Sequence, residues 1–83
     1  MANYSEERLD KVWEKSQKVR GKDPDKYRKD KEGNIMFRGS YGKLSPMAWE
    51  VDHSKPKSKG GTDHLNNLQA MNPSANRSKG NDY

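Results

Sequence analysis

An acid and a histidine stand side by side near the middle of the chain, as Asp52 and His53. An imidazole, with an ordinary pKa of about 6.5, can take a proton from water close to neutral pH. A carboxylate can bind a divalent cation. Hydrolysis of a phosphodiester requires an activated water and positive charge beside the leaving oxygen, so this pair of groups could perform that reaction.

The segment that carries this pair predicts a strand followed by a loop. Residues 49–53 alternate with a period of two, which places Trp49 and His53 on one face. Regular structure must stop soon afterwards, because Pro56 lacks an N–H and the glycines at 60–61 favour turns. Neighbouring side chains of a regular strand point to opposite faces, so the pair can share one phosphate only if the strand ends at His53.

The chain after the loop predicts a second strand over residues 68–71 and a short helix over residues 73–79. If the two strands pair antiparallel and the helix folds over them, Asn76 returns to the end of the first strand. Asn76 would then lie beside Asp52 and His53, and its amide oxygen would join the carboxylate as a metal ligand.

The first half of the chain predicts a helix over residues 5–20 and a hairpin around the turn at 33–34. Ser5 can cap the helix. The small core would be built from aromatic and methionine side chains, namely Trp13, Tyr27, Phe37, Tyr41, Trp49, Met36, Met47 and Met71.

Composition limits both the size of the core and the range of partners. The chain has 83 residues, of which 28% are hydrophobic, so it forms one small domain. It contains no cysteine, which excludes disulfides and cysteine-based zinc sites. The net charge of +5 favours an anionic partner such as nucleic acid. Since no apolar segment resembles a signal peptide or membrane span, we expect a cytoplasmic protein without membrane contact.

Residues 47–82 resemble the HNH endonuclease family, whose active site is a ββα-metal motif. The matching features, in the family's order, are Asp52-His53, Pro56, Gly60-Gly61, Asn67-Leu68-Gln69 and Asn76-Arg77-Ser78-Lys79-Gly80. The resemblance implies an α+β fold with a ββα-metal core over residues 47–83. Residues 1–46, with the N-terminal helix and hairpin, would pack on that core within a single domain.

The resemblance also implies a role for each matched polar residue. His53 corresponds to the family's general base, and Asn67 to the asparagine that braces the loop and orients this histidine. Asp52 corresponds to the metal-binding acid. Asn76 takes the place of the family's final histidine, as in the HNH domain of CRISPR-associated nucleases. Because Asp52 and Asn76 both offer oxygen, one Mg²⁺ or Mn²⁺ ion is the expected cofactor, and Zn²⁺ should support turnover poorly.

DNA is the expected substrate, cleaved to leave 5′-phosphate and 3′-hydroxyl ends. Flanking phosphates would be bound by basic residues near the site, with those that share the short helix with Asn76 foremost. In that order of expectation these residues are Arg77, Lys79, Lys55, Lys57 and Lys59.

Three alternatives remain open at this point. The first is a nucleic-acid-binding module whose HNH site has degenerated, since Asn76 departs from the usual histidine. The second is a mostly disordered basic protein that orders on a partner. The third is a zinc site shared by His53 and His64, although no further soft ligand is available. A single site predicts nicking by a monomer; the oligomeric state and membership of a larger phage or bacterial complex are left open.

Overall fold

The computed structural model describes residues 4–73 of the chain. Helix α1 spans Glu6–Glu14, and the strands are β1 (Gln17–Lys18), β2 (Tyr27–Lys29), β3 (Ile35–Phe37), β4 (Glu50–His53) and β5 (Leu68–Met71). Strands β1, β2 and β3 form one antiparallel sheet in that order, and β4 pairs antiparallel with β5. Within residues 4–73, no helix has the length and apolar character that a membrane crossing requires.

This architecture confirms the predicted α+β class, with an N-terminal helix and a hairpin ahead of the ββ pair. The predicted hairpin is formed by β2 and β3. The predicted helix over residues 73–79 begins at Pro73, and the rest of it lies outside the described residues. The division of the domain between residues 46 and 47 stays a prediction.

Helix α1 begins where its sequence signals place it. The Oγ atom of Ser5 accepts a hydrogen bond from the N–H of Arg8 at 3.1 Å, which satisfies one of the free donors of the first turn. Leu9, Val12 and Trp13 form the buried face. Their spacing of one and three residues is that of an amphipathic helix packed on a core.

The helix ends at Glu14, so the prediction that it continues to Arg20 was wrong. Arg28 lies on β2 and is only 7% exposed. Its Nη1 donates to the carbonyl oxygens of Glu14 and Ser16 at 3.1 and 3.0 Å, and its Nε donates to that of Pro24 at 2.9 Å. The guanidinium therefore satisfies the terminal carbonyls of the helix, and the chain turns to pair with β2 instead of continuing the helical pattern.

The core lies between α1 and the β4–β5 pair. The rings of Trp13 and Trp49 lie 5.0 Å apart, and that of Tyr41 lies 4.9 Å from Trp49. Three predicted core residues lie outside this core: Met47 is 41% exposed, and the half-buried rings of Tyr27 and Phe37 pack on each other across the hairpin, 5.2 Å apart. The buried cluster consists of Leu9, Val12, Trp13, Met36, Trp49, Leu68 and Ala70.

Asp30 joins the hairpin to the end of β5. It is 2% exposed. Its Oδ1 accepts hydrogen bonds from the N–H groups of Glu32 and Asn34 at 3.0 and 2.9 Å. Its Oδ2 accepts from Nδ2 of Asn34 at 3.2 Å and from the N–H of Asn72 at 3.1 Å. One buried carboxylate thus connects two parts of the chain that lie 42 residues apart.

Replacing Asp30 should destabilise the whole fold. In Asp30→Ala several buried donors lose their acceptor, so we expect the free energy of unfolding to fall by about 2–4 kcal/mol. Asp25→Ala, at an exposed turn position, should change it by less than about 0.5 kcal/mol. Urea unfolding curves of the two variants and the wild-type protein measure this difference, and equal midpoints for both variants would contradict the role given to Asp30.

Candidate active site

Strands β4 and β5 place the predicted acid and histidine at the start of a loop. His53 is the last residue of β4 and lies opposite Leu68, and Asp52 lies opposite Gln69. The predicted strand began at Trp49, which instead forms an isolated bridge before β4. The bounds of β5 agree with the prediction. Asp52 and His53 are both paired within β4 and therefore point to opposite faces, and the strand ends at His53.

Asp52 presents an exposed carboxylate on one face of the pair. Its Oδ2 accepts a hydrogen bond from Nε2 of Gln69 at 3.1 Å. An exposed carboxylate held by one neutral amide fits a hard divalent cation. Asn76, the second predicted ligand, lies outside the described residues, and residues 4–73 contain no cluster of three or more His, Cys, Asp or Glu side chains that could hold a metal.

The His53 side chain lies on the other face and is 21% exposed. Its Nε2 lies 2.7 Å from Oδ1 of Asp63, and Oδ2 of Asp63 lies 3.0 Å from the Nζ atom of Lys57. Asp63 is therefore shared between an imidazole and an ammonium. The sequence analysis missed Asp63, because only the folded loop brings it back to His53 across ten residues.

The protonation of Asp63 determines which imidazole nitrogen is free. The hydrogen bond from His53, followed by that from Lys57, holds the pKa of Asp63 below its ordinary value. Asp63 is then ionised at neutral pH and acts only as an acceptor, so Nε2 of His53 carries the proton. In the neutral imidazole the lone pair is consequently on Nδ1.

The amide of Asn67 closes the loop that follows β4. Its Oδ1 accepts from the N–H of Lys55 at 2.9 Å, and its Nδ2 donates to the carbonyl oxygens of Lys55 and Thr62 at 3.1 and 2.7 Å. The N–H of Ser54 donates to the carbonyl oxygen of Asn67 at 2.8 Å. None of these bonds reaches the ring of His53, which Asp63 contacts instead. Its predicted part in orienting His53 stays a prediction.

The two adjacent glycines make this closure possible. Gly60 has a φ of +90°, a conformation that side chains with a Cβ disfavour. At Gly61 a Cβ atom would lie 1.8 Å from the carbonyl oxygen of Lys55, so no side chain fits there. The N–H of Gly61 donates to the carbonyl oxygen of Pro56 at 2.9 Å. The loop is therefore folded back on itself, which brings Asp63 to the end of β4.

Helix α1 holds the far side of the same loop. The guanidinium of Arg8 donates to the carbonyl oxygen of Asp63. The ammonium of Lys15 donates to the carbonyl oxygens of Leu65 and Leu68. Arg8 lies on α1 and Lys15 directly follows it. The periodicity of the sequence does not predict that either residue contacts the loop.

The basic residues predicted to bind phosphate are only partly described. Lys55 and Lys59 are exposed in the loop, whereas Lys57 pairs with Asp63. A phosphate that binds Lys57 must therefore compete with a carboxylate. Arg77 and Lys79 lie outside the described residues.

His64 does not join His53 in a metal cluster of the described chain. Its side chain is exposed, and its backbone N–H donates to Oγ1 of Thr62 at 3.3 Å. His53 uses Nε2 to contact Asp63. The residues between 4 and 73 therefore give the alternative of a two-histidine zinc site no support.

The stability that Asp63 contributes should depend on pH. Its pKa is lowered in the folded protein, so this contribution is present above the unfolded value of about 4 and is lost as the pH falls through the lower folded value. Asp63→Asn should therefore melt below the wild-type protein at neutral pH, and the difference should disappear in acid. Thermal unfolding followed by circular dichroism from neutral to strongly acidic pH measures it; a difference independent of pH would contradict the ion pair.

Comparison with known proteins identifies the family of this chain. The family model of the HNH endonuclease matches residues 29–82, which is more than half of the chain. No curated protein and no solved structure is significantly similar to the chain. The match includes β4, the loop and β5, whereas α1 and β1 precede it. An HNH domain indicates a nuclease or another function that involves nucleic acid. The chain belongs to the HNH endonuclease family.

Proposed function

We propose that the protein is a metal-dependent endonuclease that hydrolyses DNA phosphodiester bonds and, as a monomer, nicks one strand. The observation that carries this proposal is the contact of 2.7 Å between His53 and Asp63 at the end of β4. It leaves the imidazole with a defined acceptor nitrogen, one residue away from the exposed carboxylate of Asp52. Family membership supports the same reaction class.

His53 acts as the general base. Its Nδ1 takes a proton from a water molecule while the water oxygen forms a bond to phosphorus. The bond between phosphorus and the 3′ oxygen breaks, and that oxygen takes a proton from solvent, which leaves 5′-phosphate and 3′-hydroxyl ends. Asp63 stabilises the imidazolium that forms and holds the ring in the required tautomer.

Asp52 and Asn76 would hold one Mg²⁺ or Mn²⁺ ion, and such an ion would supply positive charge that stabilises the leaving oxygen. Gln69 fixes the carboxylate of Asp52 through the hydrogen bond at 3.1 Å. Since both ligands are oxygen donors, Mg²⁺ should support turnover and Zn²⁺ should support it poorly.

The remaining polar residues position the substrate and the loop. Asn67 keeps the loop closed, so that Asp63 stays against His53. Lys55 and Lys59, which are exposed in the loop, would bind phosphates that flank the scissile bond. Arg77 and Lys79 would do the same from the segment that carries Asn76. Such contacts align the backbone without reading the base sequence.

The alternative function is a nucleic-acid-binding module with a degenerate HNH site. The feature that favours it is Asn76, which stands where the family has its final histidine. This alternative predicts DNA binding without hydrolysis. A nicking assay therefore separates the two functions.

Supercoiled plasmid is the substrate for the first test, with Mg²⁺ or Mn²⁺ at about pH 8, above the ordinary pKa of an imidazole. Wild-type protein should convert it to the open circular form, and EDTA should stop the reaction. His53→Ala should lower the rate by about a hundred-fold or more, because the general base is lost. His64→Ala, which removes the other histidine of the chain, should nick at the wild-type rate.

Two results would count against the proposal. Nicking by His53→Ala at the wild-type rate would remove His53 from the mechanism. A gel shift of plasmid by wild-type protein with no nicking under any metal would favour the binding module.

Asp63→Asn tests the orientation of the imidazole. An amide can donate to Nε2 and thereby favour the tautomer that has its proton on Nδ1, so the rate of nicking should fall by about ten- to a hundred-fold. Affinity for plasmid in EDTA should not fall, because a negative charge has been removed. Asp25→Asn removes the same charge at an exposed turn away from the site and should keep the wild-type rate. An unchanged rate in Asp63→Asn would show that His53 needs no carboxylate partner.

A further inference from the structure

A cleft of about 260 Å³ lies between the first sheet and the outer edge of β5. We call it the β5 cleft. It is formed by the end of α1, strands β1 and β2, the turn after β2, and β5. The polar side chains that line it and matter here are Lys15, Lys29, Lys31, Gln17, Ser54 and Gln69.

The cleft exists because β5 is fastened to the N-terminal half of the chain at two points only a few residues apart. Lys15 donates to the carbonyl oxygen of Leu68 at one end. Asp30 accepts from the N–H of Asn72 at the other end. Ala70 lies between these two points and lines the cleft.

The ladder between β4 and β5 directs the backbone of Ala70 into this space. Antiparallel pairs alternate between hydrogen-bonded and non-hydrogen-bonded types. The N–H of Ser54 donates to the carbonyl oxygen of Asn67, so these two residues form a hydrogen-bonded pair. Asp52 and Gln69, two residues further along each strand, therefore form a hydrogen-bonded pair as well. Ala70 belongs to a non-bonded pair, and its N–H and C=O point away from β4, as those of Leu68 and Asn72 do.

The charge of the β5 cleft is positive. Lys29 is half-buried and Lys31 is exposed, and neither ammonium forms an ion pair with another described residue. Gln17 lies directly opposite Lys29 in the sheet and shares its face. The carboxylate of Asp30 already accepts four hydrogen bonds. The site therefore combines free cations with a backbone donor, which is the chemistry that binds an anion.

The cleft also adjoins both halves of the candidate active site. Gln69 lines it and donates to the carboxylate of Asp52. Ser54 lines it and directly follows His53. A DNA strand whose scissile phosphate lies at Asp52 would reach the cleft with a neighbouring phosphate.

We propose that the β5 cleft binds a backbone phosphate of the DNA strand beside the scissile bond, with Lys29 and Lys31 as its charged ligands and the N–H of Ala70 as a further donor. This proposal rests on the nuclease function proposed above, and it adds to the site a surface built partly from α1 and β1, which precede the family match.

The test measures binding of a fluorescein-labelled DNA duplex by fluorescence anisotropy in EDTA, so that no cleavage occurs. Three proteins are compared over a range of salt concentrations: the wild type, Lys29→Gln with Lys31→Gln, and Lys26→Gln with Lys43→Gln. The last pair removes the same net charge from exposed positions outside the cleft. Circular dichroism checks that each protein is folded.

The cleft variant should bind about 5- to 30-fold more weakly at low salt, and the slope of log affinity against log salt should be shallower by about 1, because the cleft no longer neutralises its one phosphate. The control pair should change the affinity by less than about two-fold and leave the slope close to that of the wild type. If the double cleft variant fails to fold, Lys31→Gln alone, at an exposed turn, should make the slope shallower by about 0.5 to 1, because Lys29 still contacts the phosphate.

Equal weakening by the cleft and control pairs would overturn the proposal, because it would reflect net charge alone. Wild-type affinity in the cleft variant would overturn it as well. Inorganic phosphate at constant ionic strength should compete with the duplex for the wild type and less for the cleft variant; equal competition with both proteins would overturn the assignment of Lys29 and Lys31 to a phosphate. If the cleft variant binds weakly as expected but the wild type never nicks plasmid, the nuclease proposal fails and the binding site stands.

Discussion

The amide of Asn67 fixes the loop between β4 and β5, and the other groups of the candidate site depend on that loop. The side chain accepts from one N–H and donates to two carbonyl oxygens at once. A carboxylate at this position would face two carbonyl oxygens and could not donate to them. With the loop closed at Gly61, Asp63 lies against His53 and contacts the ring through Nε2, so Nδ1 is not used by this contact.

The N-terminal segment supports this loop from outside. Arg8 on α1 and Lys15, which directly follows the helix, bind backbone carbonyls of residues 63–68. Arg28 binds the last carbonyl of the helix, where the chain turns towards β1. Asp30 then ties the hairpin to the end of β5. The chain has few apolar residues and stabilises its site largely through polar side chains that bind backbone groups. These side chains supply the hydrogen-bond partners that backbone groups lose when folding removes them from water.

Sequence patterns predicted the parts of the fold that local chemistry determines. The bounds of β5, the cap at Ser5 and the end of β4 at His53 all follow from periodicity, capping and turn residues. The end of α1 could not be predicted in this way, because it depends on Arg28, which lies on β2. Asp63 was missed for the same reason: its pairing with His53 exists only once the glycines fold the loop back. Asn76, Arg77 and Lys79 lie beyond residue 73, and their predicted roles stay predictions.

The tautomer of His53 tests the central claim most directly. Nitrogen-15 NMR of the neutral imidazole, reached by raising the pH above the ordinary pKa of a histidine, distinguishes a protonated Nε2 from a protonated Nδ1. With Asp63 ionised and accepting, His53 should carry its proton on Nε2 in the wild-type protein and lose that preference in Asp63→Asn. A proton on Nδ1 in the wild type would leave His53 without the lone pair that the proposed attack requires, and would contradict the account.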